Sequence, residues 1–534
     1  MPRPRVLFLS FTCTFIAAVI GLGLSRGTSD AATPTNAQVL TYHNDVARTG
    51  QNLEEKLLTP ASVSSGKFGK IGFYRTDGLV DAEPLYVSNL MLDGRRHNVV
   101  FVATEHDSVY AFDADSLETL WQTTVLPPNE APSDSRNCAQ VSPEMGITAT
   151  PVIALNGDQG LLYLVAMSKD GLGNYFQRLH VLDISNGAEI SGSPVAIEAE
   201  FPNLQGATVF DPKQYKDRAA LLLQGGIIYT TWASHCDEGP YTGWVIGYDA
   251  KTLQQANVLD VTPNGTDGAI WMSGSGPAAD AQGNIYLLDG NGTFDNALDS
   301  SGFPIHGDFG NAFLKLSIGN GKLIVADYFN AHSTQNDSSR DADLGSGGTI
   351  LLPDLKDGSG NMVQLALGAG KTNTVYVVNR NALGKFNAKN DRALHQKLEH
   401  VLEGPVFSTP AYFNNTVYFA AVNDALKAFS ITDAKLDPEP VSLTATRFAY
   451  PGATPSISAN GNSDAIVWVV EARGSDAGVL HAYDAGDLTH ELYSSGKTNG
   501  RDAFSDNKFI TPMIANGRVF VGTLTGVAVF GVLK

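Results

Sequence analysis

The sequence predicts an all-β protein whose fold is an eight-bladed β-propeller closed by pairing of its N-terminal and C-terminal strands. Three observations predict it: a repeated phrase in which proline opens an apolar strand, a repeated turn after an apolar residue and Asp, and incomplete units at the two ends. A long repeat of this kind indicates units that bury their faces only against their neighbours. Glycine, at 54 of 534 residues, is frequent enough for a turn-rich β-protein.

The proline phrase marks six units. Proline is tolerated at the first residue of a strand because no ladder N–H is needed there. The six prolines are Pro84, Pro151, Pro277, Pro410, Pro455 and Pro512. Two of the gaps between them are about twice as long as the others, and each contains strand-like runs without the proline, in residues 219–249 and 348–378. Six units plus two predict eight blades of three or four short strands.

The two ends of the repeat region each hold an incomplete unit. The last unit supplies strand-like residues 511–516, 518–524 and 526–533, which is one strand short of a blade. Residues 68–74, Phe-Gly-Lys-Ile-Gly-Phe-Tyr, precede the first full unit. We therefore expect 68–74 to pair with 526–533, which removes a free sheet edge.

The chain divides into three parts. Residues 1–32 join a basic start to a long apolar run and a small-residue cleavage site near Ala31, which predicts a signal peptide or an N-terminal anchor. Residues 33–67 form a polar lead-in, and residues 68–534 form the propeller. We therefore expect an extracytoplasmic protein, periplasmic or secreted. In that compartment Cys138 and Cys236, the cysteines of the mature chain, are free to pair, although the sequence does not give their distance.

The charge restricts the class of partner. Lys and Arg number 36 against 55 Asp and Glu, a formal charge of −19, and the sequence has no basic stripe. Nucleic-acid binding depends on neutralising phosphates, so it is excluded as a predicted function. The expected partner is a small molecule or a protein at one face of the propeller, with membrane contact only through an N-terminal anchor.

One unit carries a recognisable family pattern. Residues 109–121 read Val-Tyr-Ala-Phe-Asp-Ala-Asp-Ser-Leu-Glu-Thr-Leu-Trp. This resembles the repeat of pyrroloquinoline-quinone (PQQ) propellers, in which a blade closes with Ala-x-Asp, a turn and a Trp that docks between blades. The resemblance extends over about residues 68–533. It implies the eight-bladed fold, but the same repeat builds quinoprotein dehydrogenases and non-catalytic scaffolds.

The resemblance to the dehydrogenases implies a cofactor site. Trp271 looks like the Trp on which the family lays its quinone, and Lys371 resembles a basic residue that contacts the oxygens of the cofactor. Glu238 and Asn291 resemble the ligands of a Ca²⁺ that polarises the quinone, a role that suits hard oxygen donors. PQQ and Ca²⁺ are therefore the implied cofactors.

The remaining site residues follow the family pattern less closely. Asp341 and Asp343 match a downstream pair of acids and are further candidate metal ligands, whereas the catalytic base falls on Asn336 or Asp337. The adjacent cysteine pair that caps the quinone in the family does not occur in the sequence, where Cys138 stands alone near the expected loop.

Two functions remain open. Each candidate residue also has a structural explanation, as a core or docking aromatic, a turn residue or a solvated charge. The sequence therefore favours an exported propeller that binds a ligand or partner without turnover. The alternative is a PQQ- and Ca²⁺-dependent quinoprotein dehydrogenase that oxidises an alcohol or a sugar.

Overall fold

The computed structural model describes residues 37–474 and 477–533. These residues form the predicted eight-bladed β-propeller, and each blade is an antiparallel sheet whose first strand lies innermost, next to the channel. The predicted signal peptide or anchor, residues 1–32, lies outside the described residues. No helix within those two ranges is long and apolar enough to cross a membrane.

The first four blades are listed from the innermost strand outward. Blade 1 contains Leu85–Leu92, Arg95–Ala103, Ser108–Asp113 and Thr119–Thr124. Blade 2 contains Val152–Asn156, Gln159–Asp170, Tyr175–Asp183 and Val195–Ala196. Blade 3 contains Leu222–Gln224, Ile227–Ala233, Trp244–Asp249 and Gln255–Asp260. Blade 4 contains Ala278–Ala279, Ile285–Leu288, Phe313–Gly319 and Lys322–Asn330.

The last four blades follow the same order. Blade 5 contains Thr349–Leu351, Leu365–Ala369, Val375–Asn379 and Gln396–Leu398. Blade 6 contains Ala411–Phe413, Thr416–Ala420, Asp424–Thr432 and Ser442–Phe448. Blade 7 contains Ser456–Asn460, Ser463–Glu471, Val479–Asp484 and Asp487–Ser494. Blade 8 contains Met513–Ala515, Arg518–Thr523, Gly526–Val532 and Phe68–Arg75.

Blade 8 closes the ring as the sequence predicts. Phe68–Arg75 runs antiparallel to Gly526–Val532, with Phe68 opposite Val532 and Arg75 opposite Gly526. The outermost strand of the last blade therefore comes from the N-terminal part of the chain, and the two ends of the ring share one sheet.

Shorter elements lie outside the blades. The additional strands are Gln38–Val39, Gln51–Asn52, Glu130–Asp134, Glu144–Met145, Glu200–Asn203, Gly206–Val209, Lys216–Asp217, Leu355–Lys356, Met362–Val363, Lys385–Phe386 and Lys435–Leu436. The α-helices are Pro60–Ser64 and Thr334–Ser338, and the 3₁₀-helices are Met272–Gly274, Leu344–Ser346 and Ser495–Lys497.

The repeated Asp of the sequence ends the third strand of a blade. Its side-chain oxygen accepts hydrogen bonds from backbone N–H groups two or three residues ahead, as in an Asx-turn. The four aspartates that do this are Asp113, Asp183, Asp249 and Asp484. The motif is therefore a turn signal that ends one strand and starts the next.

Aromatic residues fasten neighbouring blades at the same turns. Trp121 Nε1 of blade 1 donates to the carbonyl of Ile184, the first residue of the blade 2 turn, at 3.0 Å. Tyr163 Oη of blade 2 donates to the carbonyl of Ala250 in blade 3 at 2.8 Å. A side chain at Gly187 would collide with the ring of Trp121, 2.6 Å from the position of its Cβ, so this turn requires glycine. Trp121 thus docks between blades, as its resemblance to the family repeat implies.

Part of the lead-in, residues 38–52, lies in the central channel, a position that its polar composition did not predict. Between Gln38 and Asn52 it hydrogen-bonds to the innermost strand, or the residue just before it, of every blade. In blade order the partners in the ring are Val87, Ile153, Leu221, Ala279, Leu351, Tyr412, Ile457 and Ile514. We call residues 38–52 the plug. Because one short segment reaches all eight innermost strands, it must follow a tight path around the channel axis.

The side chain of Arg48 in the plug is fully buried. Its guanidinium donates to Thr41 Oγ1 at 2.7 Å, to the carbonyl of Tyr42 at 2.9 Å and to the carbonyl of Pro277 at 3.0 Å. The fourth bond goes to the carbonyl of Leu221 at 3.1 Å. One side chain therefore ties the plug to itself and to blades 3 and 4.

Glu83 beside the plug predicts a pH dependence of stability. Its Oε2 accepts a 2.8 Å hydrogen bond from the backbone N–H of His43, and burial raises the pKa of Glu83 from 4.5 to about 8. Near neutral pH the folded state therefore keeps a proton on Glu83 that the unfolded state releases. The stability that this proton contributes is fully present below about pH 4.5 and is lost as the pH rises towards 8. Between these two pH values the free energy of unfolding falls by about 1.4 kcal/mol per pH unit.

Glu83→Gln is expected to remove this loss because the amide stays neutral and can still accept the bond from His43. Urea unfolding between pH 5 and pH 8 should give a flatter stability profile for Glu83→Gln than for the wild type. Glu200→Gln, on an exposed hairpin, is the matched control and should follow the wild type. Parallel profiles for all three proteins would contradict the assignment.

Candidate functional site

A cavity of about 410 Å³ lies at the end of the channel where the innermost strands begin. Its walls come mostly from the segments that lead into the innermost strands of blades 3 to 8. These segments contribute Lys216, Arg218, Trp271, Asp341, Asp343, Phe407, Tyr450 and Phe509. Arg218 and Phe509 also line a gap of about 10 Å³ against Tyr42 of the plug, so the plug lies directly below the cavity.

Four aromatic rings form a continuous arc along the cavity. The ring centroids of Trp271 and Phe407 lie 6.0 Å apart, those of Phe407 and Tyr450 5.4 Å, and those of Tyr450 and Phe509 6.0 Å. A cation lies at each end: Lys371 Nζ is 5.8 Å from the centroid of Trp271, and the guanidinium carbon of Arg218 is 4.7 Å from that of Phe509. We call these four rings the aromatic arc.

Lys371 lies between two carboxylates at the Trp271 end. Its Nζ is 2.6 Å from Asp341 Oδ1 and 2.7 Å from Asp343 Oδ2. Burial raises the pKa of Asp343 to about 6, although Lys371 and the backbone N–H of Asn291 oppose the shift. Burial acts to lower the pKa of Lys371, but the two carboxylates outweigh it and the net shift is upward. The ammonium is therefore held charged against the two acids.

A disulfide forms another part of the cavity wall. Cys138 and Cys236 are bonded, with an S–S distance of 2.07 Å and a Cα–Cα distance of 5.5 Å. The two cysteines therefore pair with each other, which the sequence alone did not decide. Lys216 lies beside the bridge, and burial, with help from Arg218, lowers its pKa to about 7. Asp237, directly after Cys236, also lines the cavity.

The structure brings four of the predicted site residues to this cavity: Trp271, Lys371, Asp341 and Asp343. Asn291 adjoins them because its backbone N–H donates to Asp343 Oδ1.

Two predicted site residues lie elsewhere. The carboxylate of Glu238 is half exposed, 3.9 Å from Arg136 Nη2, while Cys236 and Asp237 before it line the cavity. Asp337, in the helix Thr334–Ser338, is buried against Ser333 and Arg340 and does not line it.

The residues at the cavity fit the cofactors that the family resemblance implies only in part. In the parts of the chain that the structure describes, no group of three or more His, Cys, Asp and Glu side chains could hold a metal ion. The predicted Ca²⁺ ligands are only partly assembled, and Lys371 already balances the charge of Asp341 and Asp343. The aromatic arc and its flanking cations fit a planar anionic ligand such as PQQ better than they fit a lone divalent cation.

Sequence reasoning missed three of the four rings of the aromatic arc and the two cations of blade 3. Phe407, Tyr450 and Phe509 each precede a Thr-Pro phrase by two to four residues. These positions are the mouth of the ring, because the phrase itself starts the innermost strand. An aromatic residue just before the repeated phrase was therefore the available signal.

Comparison with known proteins supports the fold. No protein-family model matches the chain, and no curated protein matches it in sequence. The structure is similar to the quinohemoprotein alcohol dehydrogenase ADHIIG from Pseudomonas putida HK5, with a TM-score of 0.61, 15% identity, and coverage of 94% of this chain and 81% of that chain.

A second solved structure gives a similar result. It is the quinohemoprotein alcohol dehydrogenase from Comamonas testosteroni, with a TM-score of 0.57, 15% identity, and coverage of 93% of this chain and 81% of that chain. The likeness to the quinoprotein propeller that the sequence repeat predicted is therefore confirmed for the fold.

Proposed function

We propose that this protein binds a small, planar, anionic ligand of the quinone class in the cavity above the plug, and that binding rather than turnover is its function. The observation that carries the proposal is the aromatic arc with a cation at each end. Neighbouring rings of the arc are tilted or edge-on to one another, so a flat ligand would stack on a single ring such as Trp271. Arg218 and Lys371 offer charge-assisted hydrogen bonds to its carboxylate or carbonyl oxygens. PQQ, a flat tricarboxylate, is the first candidate.

Cations and acids line the cavity in equal number, so the case for an anionic ligand depends on Arg218. Lys216, Arg218 and Lys371 line it together with Asp237, Asp341 and Asp343. Lys371 already pairs with two of the acids, whereas Arg218 lies over Phe509 and lacks a salt bridge to any carboxylate in the described residues. An anionic group on the ligand could form an ion pair with Arg218.

Titration with PQQ tests the proposal. Quenching of tryptophan fluorescence and calorimetry should show saturable binding in buffer with EDTA. Trp271→Leu and Arg218→Met should each raise Kd at least about fivefold, because each removes one contact worth about 1 kcal/mol or more. Arg95→Met, on an exposed strand end, is the matched control for the charge and should bind like the wild type.

Addition of CaCl₂ forms the second arm of this titration. Binding that appears only with Ca²⁺ would show that the ion displaces Lys371 from Asp341 and Asp343, and the metal site that the sequence predicted would then be the correct one. Failure of PQQ to bind in both buffers, or equal affinity of Trp271→Leu and wild type, would overturn the proposed ligand site.

Alcohol oxidation is the second candidate function. Two observations favour it: the fold is shared with quinohemoprotein alcohol dehydrogenases, and the pKa of the cavity carboxyl Asp343 is raised to about 6. Asp343 would accept the hydroxyl proton of the substrate, and a bound quinone would supply the oxidising power. Dye reduction with PQQ, Ca²⁺ and a panel of alcohols and sugars should then rise as the pH passes 6 and should be lost in Asp343→Asn.

We also propose that the protein functions outside the cytoplasm. The support is the predicted signal segment at residues 1–32 and the disulfide, since disulfides persist in oxidising compartments. N-terminal sequencing of the mature protein should find cleavage near Ala31. A protein recovered from the cytoplasm with Met1 intact would contradict this.

A further inference from the structure

The two cysteines of the cavity wall differ in accessibility. Cys138, in the loop between the strands Glu130–Asp134 and Glu144–Met145, is 1% exposed. Cys236, just after the strand Ile227–Ala233, is exposed, and both line the cavity. A reagent that enters from solvent therefore meets Cys236 first.

A buried lysine lies beside the hidden sulfur. Lys216 is 5% exposed, and its Nζ lies 3.5 Å from Cys138 Sγ. Within the described ranges this sulfur is the only hydrogen-bond partner of the ammonium, which forms no salt bridge there. A buried ammonium without a paired carboxylate is costly, whereas a thiolate formed at Cys138 would give it a negative partner.

We propose that the Cys138–Cys236 bridge is a site of thiol–disulfide exchange with small thiols, in which Cys236 is attacked and Cys138 leaves beside Lys216. The incoming thiolate forms a bond to Cys236 Sγ as the Cys138–Cys236 bond breaks, and the electron pair of that bond passes to Cys138 Sγ. A second thiol then attacks the mixed disulfide and releases Cys236. Overall, two thiols are oxidised to one disulfide, and the bridge is reduced to two cysteine thiols.

The direction of attack follows from access and charge. Exchange is faster when the leaving sulfur is the more stabilised anion, and a neighbouring ammonium provides that stabilisation. The cavity admits a small thiol to Cys236, while burial protects Cys138 from direct attack. Reduction removes the covalent link between the loop 135–143 and blade 3 and leaves weaker contacts such as the hydrogen bond from Arg136 Nη1 to the carbonyl of Lys213, so the redox state of the surroundings would affect the cavity wall.

The rate of reduction tests the inference without any quinone ligand, so its failure is separate from failure of the proposed function. The full purified chain is treated anaerobically with 2-mercaptoethanol or reduced glutathione, quenched by alkylation and analysed by peptide mass spectrometry. Lys216→Met should lower the second-order rate constant at pH 6 at least about tenfold, and Lys216→Arg should restore most of it. Lys508→Met is the matched control, because Lys508 Nζ contacts the carbonyl of Ala139 in the same loop; it should react like the wild type.

The pH profile separates a charge effect from a packing effect. The charged and titratable groups around Lys216 are Arg218, Glu105, Asp81, Asp237 and His235. Because burial lowers the pKa of Lys216 to about 7, the ammonium loses its charge above that pH. The wild-type rate per attacking thiolate should therefore fall above pH 7, and the rate for Lys216→Met should not.

The trapped intermediate gives a second readout. The mixed disulfide should be found on Cys236, and Cys138→Ser should leave a Cys236 thiol that alkylating reagents modify in the folded protein. The inference is overturned by a mixed disulfide on Cys138, by equal rates for Lys216→Met and wild type, or by a bridge that resists small thiols until the protein unfolds.

Discussion

Replacement of Phe68–Arg75 by a flexible Gly-Ser linker of the same 8-residue length is expected to abolish cooperative folding. The linker keeps the plug attached to blade 1 but leaves Gly526–Val532 as an open edge, which is a template for pairing with other chains. The replacement also removes Tyr74, whose ring stacks 4.3 Å from that of Phe112 in blade 1. The ring therefore loses its closing strand and the aromatic contact across the closure.

Size-exclusion chromatography and thermal unfolding measure the outcome. The linker variant should aggregate and show no cooperative transition. The matched control places the same linker at residues 202–209, in the exposed hairpin of Glu200–Asn203 and Gly206–Val209, whose strands pair only with each other and which then keeps the half-buried Phe201. That control should remain monodisperse and lose no more than about 1 kcal/mol, as surface changes generally do. A soluble, cooperatively folding variant without Phe68–Arg75 would show that the ring is held elsewhere.

Arg48→Met is expected to lower the free energy of unfolding by about 3–5 kcal/mol, because several buried acceptors lose their donor at a cost of about 1–3 kcal/mol each. The methionine fills much of the volume but leaves the carbonyls of Tyr42, Leu221 and Pro277 without their donor, and buried acceptors without partners are costly. Urea unfolding of the variant and of the exposed control Arg95→Met measures the difference. A loss below about 1 kcal/mol for Arg48→Met would show that the plug is not fixed by this side chain.

The propeller was predictable because its signals are local and repeated. Pro410 starts an innermost strand and Asp249 ends a third one for reasons that lie within a few residues of each. The path of the plug was not predictable in this way. Thr41, His43 and Arg48 are typical of a polar linker, and their partners, such as Pro455, lie up to 412 residues away.

The residues of the candidate site also fall into two groups, those that a sequence pattern can place and those that depend on contacts between distant loops. Trp271, Lys371, Asp341 and Asp343 could be placed because they follow the order of residues in a known repeat family. Asn291 was assigned by its side chain, yet in the structure its backbone N–H contacts Asp343. The proximity of Lys216 to Cys138 depends on the meeting of two loops 78 residues apart, which no local pattern reports.

The plug also determines the order of events during folding. Tyr42 bonds to Thr409 across 367 residues, and Asn52 bonds to Ile514 across 462. Contacts of such long sequence separation form late, because the loop-closure entropy must be overcome before they contribute. The plug therefore reaches its final contacts only after the last blade has formed, and during synthesis or export the incomplete ring has an open channel and an unpaired edge. The yield of folded protein will depend on how well this incomplete ring is kept from aggregating before it closes, and less on the stability of any single blade.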